Sequence, residues 1–122
     1  MTEDKFVDGS LHLEWHEDAA NVTVLWTGRS VAREPGLFIL PIMTRAMECA
    51  QRHEKRVVLD FRQLEYLNSS TITPVIRTLE QAKRGSNQVT VLYTSALKWQ
   101  ALAFSALYLF GTADGRIQIQ GQ

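Results

Sequence analysis

Two runs near the start of the chain set hydrophobic and polar residues in register. Leu11, Leu13 and Trp15 fall on one side of the first run, with His12, Glu14 and His16 on the other. A period of two is the mark of a strand with one wet face. Glu17–Asn21 reads as a turn and Val22–Trp26 as a second strand, so an opening hairpin is expected, ended by Gly28. The polar, mixed residues 1–9 are expected to be a flexible N-terminus ahead of one domain over residues 10–122.

The period then changes. Leu40, Met43, Met47 and Ala50 recur at three- and four-residue spacing, which predicts a helix over residues 35–54. Pro35 suits its start; Pro41 implies either a later start or a bend. Arg56–Phe61 is a short, nearly continuous apolar run, as expected of a central strand covered on both sides. Ile72, Val75, Ile76, Leu79 and Ala82 make the stripe of a helix over 70–84, stopped by Gly85-Ser86-Asn87. Gln88–Tyr93 reads as another strand. A helix capped by Thr94 or Ser95 should follow to about Tyr108, and Ile117 and Ile119 suggest a last edge strand. The order β-β-α-β-α-β-α-β implies an α/β domain, a mixed sheet with helices packed mainly on one face.

Composition narrows the class of function. Apolar residues make up 45% of the chain and charged residues 21%, ordinary values for a globular domain. Thirteen basic residues balance thirteen acidic ones, so no net field draws nucleic acid or an anionic membrane. The single cysteine, Cys49, cannot form an internal disulfide and by itself makes no zinc site, which fits a reducing, cytoplasmic setting. No apolar run is long enough for a signal peptide or a membrane span.

Candidate chemistry is sparse. There is no glycine-rich phosphate loop, no GxSxG elbow and no Cys/His dyad at a suggestive spacing, so neither an enzyme nor a bound cofactor or metal is expected. Asp60 and Glu65 could pair as carboxylates, but a strand-end acid and a loop acid are usually structural. His12, Glu14 and His16 could approach one cation, yet they also read as the polar face of an exterior hairpin. The helix at 95–108 is unusually apolar; Trp99 and Phe104 are its candidate contact residues for a partner.

The densest signal is the polar knot Asn68-Ser69-Ser70-Thr71 at the mouth of the 70–84 helix. One of Asn68, Ser69 or Ser70 is expected to cap the helix, with Thr73-Pro74 as a competing start. A cap needs one polar residue, whereas four stand in a row. Spare hydroxyls at a helix mouth can face solvent and be reached by a kinase. A phosphate there adds about 1.5 to 2 negative charges. The helix dipole tolerates such a charge, by roughly 0.3–1 kcal/mol in its favour.

In element order and in this knot, the chain resembles the STAS family, the domain of anti-sigma factor antagonists. The matching residues are Asn68-Ser69-Ser70-Thr71-Ile72, preceded by Asp60-Phe61 and Tyr66-Leu67; Ser95 and Ser105-Ala106-Leu107 look like later family positions. Two residues depart from the family pattern: Asn68 stands for the usual Asp, and Thr71 for the usual Gly. In motif the segment is most similar to SiaC-type regulatory phosphoproteins, which also use Asn there. The resemblance implies a partner-switching phosphoprotein. Its phosphoacceptor would be Ser69, or alternatively Ser70. It would bind a serine/threonine kinase or anti-sigma-type partner when unmodified, and a PP2C-type phosphatase would restore that form. Asn68, Ser69, Ser70 and Thr71 would make the partner-binding corner. The alternative is a STAS-like scaffold or ligand-sensing module that is not phosphorylated.

Overall fold

The computed structural model describes residues 3–122. Its elements are β1 (Glu3–Asp8), β2 (Leu11–Glu17), β3 (Asn21–Ser30), α1 (Gly36–Arg52), β4 (Arg56–Asp60), β5 (Leu64–Leu67), α2 (Ser69–Arg84), β6 (Gln88–Tyr93), α3 (Lys98–Ser105) and β7 (Ile117–Gly121). A 3-10 turn, Ala106–Phe110, extends α3. The α/β class and the mixed sheet are as expected. The seven strands run β1-β2-β3-β4-β6-β7, with β5 also paired to β3. The first three are antiparallel neighbours; β3, β4, β6 and β7 are parallel, each parallel step made by a helical crossover.

Three expectations are corrected. Glu3–Asp8 is an edge strand paired with β2 from Glu3↔His16 to Asp8↔Leu11, not a flexible end; Met1 and Thr2 lie outside the described residues. Six ladder positions along β2 outweigh the weak hydrophobicity of that segment. Nor does Gly28 end the second hairpin strand. It sits at φ +81 in a bulge, and β3 continues to Ser30 to pair with β5. Only glycine fits there, because a Cβ would fall 2.0 Å from the Ser10 carbonyl oxygen. Finally, β4 buries Val57 and Leu59 fully on one face while Val58 on the other is only half-buried, so its apolar run did not mean two equally covered faces.

One row of side chains crosses the sheet and defines the core. Val24, Leu59, Val91 and Ile119 are register partners and are all buried. Trp26, Phe61, Phe104 and Tyr93 extend the same layer as a chain of tilted rings with centroids 4.6–5.7 Å apart. In α1 the buried stripe is Ile39, Ile42, Met43, Ala46, Met47 and Ala50, turned slightly from the expected one so that Leu40 is only half-buried. Pro41 lies inside this helix on its exposed side. Its ring costs one bond to the Leu37 carbonyl without stopping the helix.

Candidate functional site

The mouth of α2 is built where β5 runs out beside the end of β3. The Asn68 amide donates to the Ser30 carbonyl at 3.0 Å, which holds the turn against the sheet. Asn68 is the N-cap: its Oδ1 accepts from the Thr71 amide at 3.1 Å and from the Thr71 hydroxyl at 2.7 Å, and its Nδ2 donates to the Ala32 carbonyl at 2.9 Å. The Thr71 hydroxyl also lies 2.7 Å from Ser30 Oγ. Because Asn68 Oδ1 carries no proton, the Thr71 proton must point to it, and Ser30 is then the donor to Thr71. Ser30 and Thr71 are both buried. Every polar group of this relay has a partner inside the fold.

The residues at positions 68 and 71 have physical reasons here. An Asp at position 68 would set a carboxylate oxygen against the Ala32 carbonyl where the amide now donates. A Gly at position 71 would leave the Ser30 hydroxyl without its acceptor. Thr71 has no positive φ, so its side chain causes no backbone strain.

Ser69 and Ser70 stand apart from this relay. Both are exposed, and neither hydroxyl has a hydrogen-bond partner among the described residues. They occupy the first two helical positions, whose amides have no acceptor within the helix. Ser70 borders a groove of 490 Å³ between the start of α1 and the first turns of α2, with Pro35, Leu37, Thr73 and Pro74 in its wall. Arg33 and Arg77 also line it, and neither is ion-paired among the described residues. Ser69 is not in that wall. On the β5 side, the exposed Tyr66 ring carries the Arg29 guanidinium 4.9 Å from its centroid.

The expected site residues therefore divide. Asn68, Ser69 and Ser70 form one solvent-reachable corner, but Thr71 is interior and cannot touch a partner. Phe104 is 0% exposed and is corrected from contact residue to core, held between Phe61 and Tyr93. Trp99 is partly buried against the same core. The apolar surface expected on this helix exists on other residues: Leu102, Leu109 and Tyr108 are 78%, 69% and 50% exposed. Nor do Thr94 and Ser95 cap α3, which starts at Lys98 with Leu97 at the cap position and no side-chain cap. Gln100, buried on the inner side of α3, accepts from the Thr94 amide and donates to the Phe61 and Leu64 carbonyls.

The remaining candidates resolve simply. Asp60 does not pair with Glu65; it takes a two-pronged bond from Arg62 at 2.8–2.9 Å, which raises the guanidinium pKa, while Glu65 is exposed. His16 contacts Glu14 at 3.6 Å, but His12, Glu14 and His16 do not converge as a ligand group. The described residues do bring together Glu17, Cys49 and His53, which sequence spacing missed because Glu17 comes from another element. The Cys49 to His53 spacing of four was the one available sign. No helix among the described residues is long and apolar enough to cross a membrane. No protein-family model and no curated protein matches the sequence.

Proposed function

We propose that this chain is a regulatory phosphoprotein of a bacterial partner-switching pathway, with a STAS-like domain and no catalytic role of its own. The observation that carries the reading is the division of labour at the α2 mouth. Asn68, Thr71 and Ser30 meet the needs of the cap, so the exposed Ser69 hydroxyl has no structural duty. Unmodified, the protein binds a serine/threonine kinase or anti-sigma-type partner through the Asn68–Ser70 corner and the adjoining α1/α2 groove. Arg33 and Arg77 there outnumber Glu34, the one acidic residue of the lining, and favour an acidic group on the partner. Phosphorylation of Ser69 places about two negative charges at the margin of that surface and releases the partner, while the helix dipole keeps the fold intact. A PP2C-type phosphatase resets it.

The test is partner affinity measured for Ser69→Ala and Ser69→Glu. Ser69→Ala should bind like the parent and Ser69→Glu about a hundredfold more weakly, a difference of ~2.8 kcal/mol. Equal affinities would sink the switch. A second reading, a scaffold module without phosphorylation, draws on the exposed Leu102, Tyr108 and Leu109. Substituting those three with Ser separates the two: loss of partner binding there, with Ser69→Glu silent, favours the scaffold.

A further inference from the structure

At the opposite end of α1 from the α2 mouth, three side chains of different chemistry meet. Glu17 is the last residue of β2, Cys49 lies in the final turn of α1, and His53 is the C-cap of that helix. Cys49 Sγ lies 3.7 Å from both Glu17 carboxylate oxygens and 3.7 Å from His53 Nδ1; His53 Nδ1 lies 3.7 Å from Glu17 Oε2. The helix end fixes these positions. Glu54 takes φ 56, a left-handed conformation rare for a residue other than glycine. The Glu54 and Lys55 amides then return to the Gln51 and Ala50 carbonyls, at 3.4 and 2.8 Å. This pair of hydrogen bonds closes the helix and sends Lys55 back toward Glu17. Lys55 Nζ donates to Glu17 Oε2 at 2.9 Å.

We propose that Glu17, Cys49 and His53 form a three-ligand site for a zinc-class divalent cation. With bonds of about 2.0–2.3 Å to nitrogen, oxygen and sulfur, a tetrahedral ion holds its ligands roughly 3.3–3.8 Å apart. The three donors already stand near that spacing with nothing bound. A thiolate, an imidazole and a carboxylate together suit zinc rather than calcium or magnesium, which prefer oxygen alone. Binding replaces the thiol proton of Cys49 with the metal and releases that proton to water. Glu17 binds through Oε2, the oxygen 3.7 Å from both Cys49 Sγ and His53 Nδ1, and the Lys55 ammonium on the other lone pair of that oxygen orients the carboxylate from outside the coordination sphere. His53 is half exposed, so the ion enters from that side and water fills the fourth position. The ion pair between Glu17 and Lys55 accounts for the carboxylate alone; it gives no reason for a thiol and an imidazole to converge on it. This site stands independently of the switch at Ser69.

Cobalt(II) titration of the full chain provides the test, because Cys49 is the only cysteine and any thiolate-to-cobalt charge-transfer band must come from it. A 1:1 band with the visible intensity of a tetrahedral ion is expected, bleached by zinc(II). Cys49→Ser should abolish it, and His53→Gln and Glu17→Gln should each weaken binding by about tenfold or more. His53→Gln, changed at a half-exposed position, keeps the test readable if another variant fails to fold. Absence of the band in folded protein overturns the site. So does a band of unchanged strength and affinity in both His53→Gln and Glu17→Gln, since the metal would then be binding a thiol alone.

Discussion

Two helices of this domain start beyond the C-terminal ends of parallel strands, and hydroxyl residues stand in or just before the first turn of each. Their mouths are organised in opposite ways. At α2 the cap is a side chain, and the hydroxyls split into one buried in the relay and two left facing water. At α3 no side chain caps, and both hydroxyls are already engaged: Thr94 Oγ1 donates to the Arg62 carbonyl and Ser95 Oγ to the Gln122 carbonyl. The Gln100 amide supplies the fixed polar contacts instead. A hydroxyl beside a helix start is thus no sign of a regulated site. What distinguishes Ser69 and Ser70 from Thr94 and Ser95 is the lack of an internal partner.

The α3 mouth depends most heavily on Gln100. Gln100→Leu removes three bonds in a dry place and takes the side-chain partner from the Thr94 amide and the Leu64 carbonyl, while the Phe61 carbonyl keeps the Leu64 amide. At about 1–3 kcal/mol for each orphaned group, urea denaturation should show a loss of roughly 3 kcal/mol or more. Thr71→Val keeps the shape but strands Ser30, and should cost about 2 kcal/mol. Asn68→Asp should cost roughly 1–2 kcal/mol, since a carboxylate facing the Ala32 carbonyl outweighs its gain from the helix dipole. If Asn68→Asp proves neutral, the amide bond to Ala32 is not what selects Asn.

Most of the architecture was legible because burial here follows simple periods. Leu11, Leu13 and Trp15 on β2, and Val75, Leu79 and Ala82 on α2, are buried as their spacing requires. What escaped has a common cause: long-range pairing that local pattern does not encode. The strand at Glu3–Asp8 exists because β2 offers it a ladder, and β5 exists because Gly28 bends β3 to meet it. The α2 knot was visible in the sequence, but the interior position of Thr71 was not, since its partner Ser30 is 41 residues away. Phe104 was misplaced for the same reason: helical spacing in a uniformly apolar stretch does not say which side faces the sheet. Glu17 meets the helical neighbours Cys49 and His53 only through the fold.

The smaller effects sharpen the picture. The Lys55 ammonium holds the Glu17 carboxyl below its ordinary value of 4.5. A carboxyl depressed in the folded state stabilises the protein above the unfolded pKa and ceases to do so as pH falls through the folded one. Acid titration should therefore show stability lost below about pH 4.5, and Glu17→Gln should flatten part of that loss. Smallest of all, Ser69→Ala should alter stability by no more than about 0.5 kcal/mol, because the hydroxyl touches nothing. A larger cost would mean that Ser69 has a structural duty.

The most direct measurement of that freedom is phosphosite mapping. The folded chain is incubated with ATP and lysate of its source cells, then analysed by intact mass and peptide sequencing. One phosphate on Ser69, with the melting transition preserved, is the expected result. No phosphate at Ser69, or its appearance only at residues engaged in the fold such as Thr71, would contradict the account.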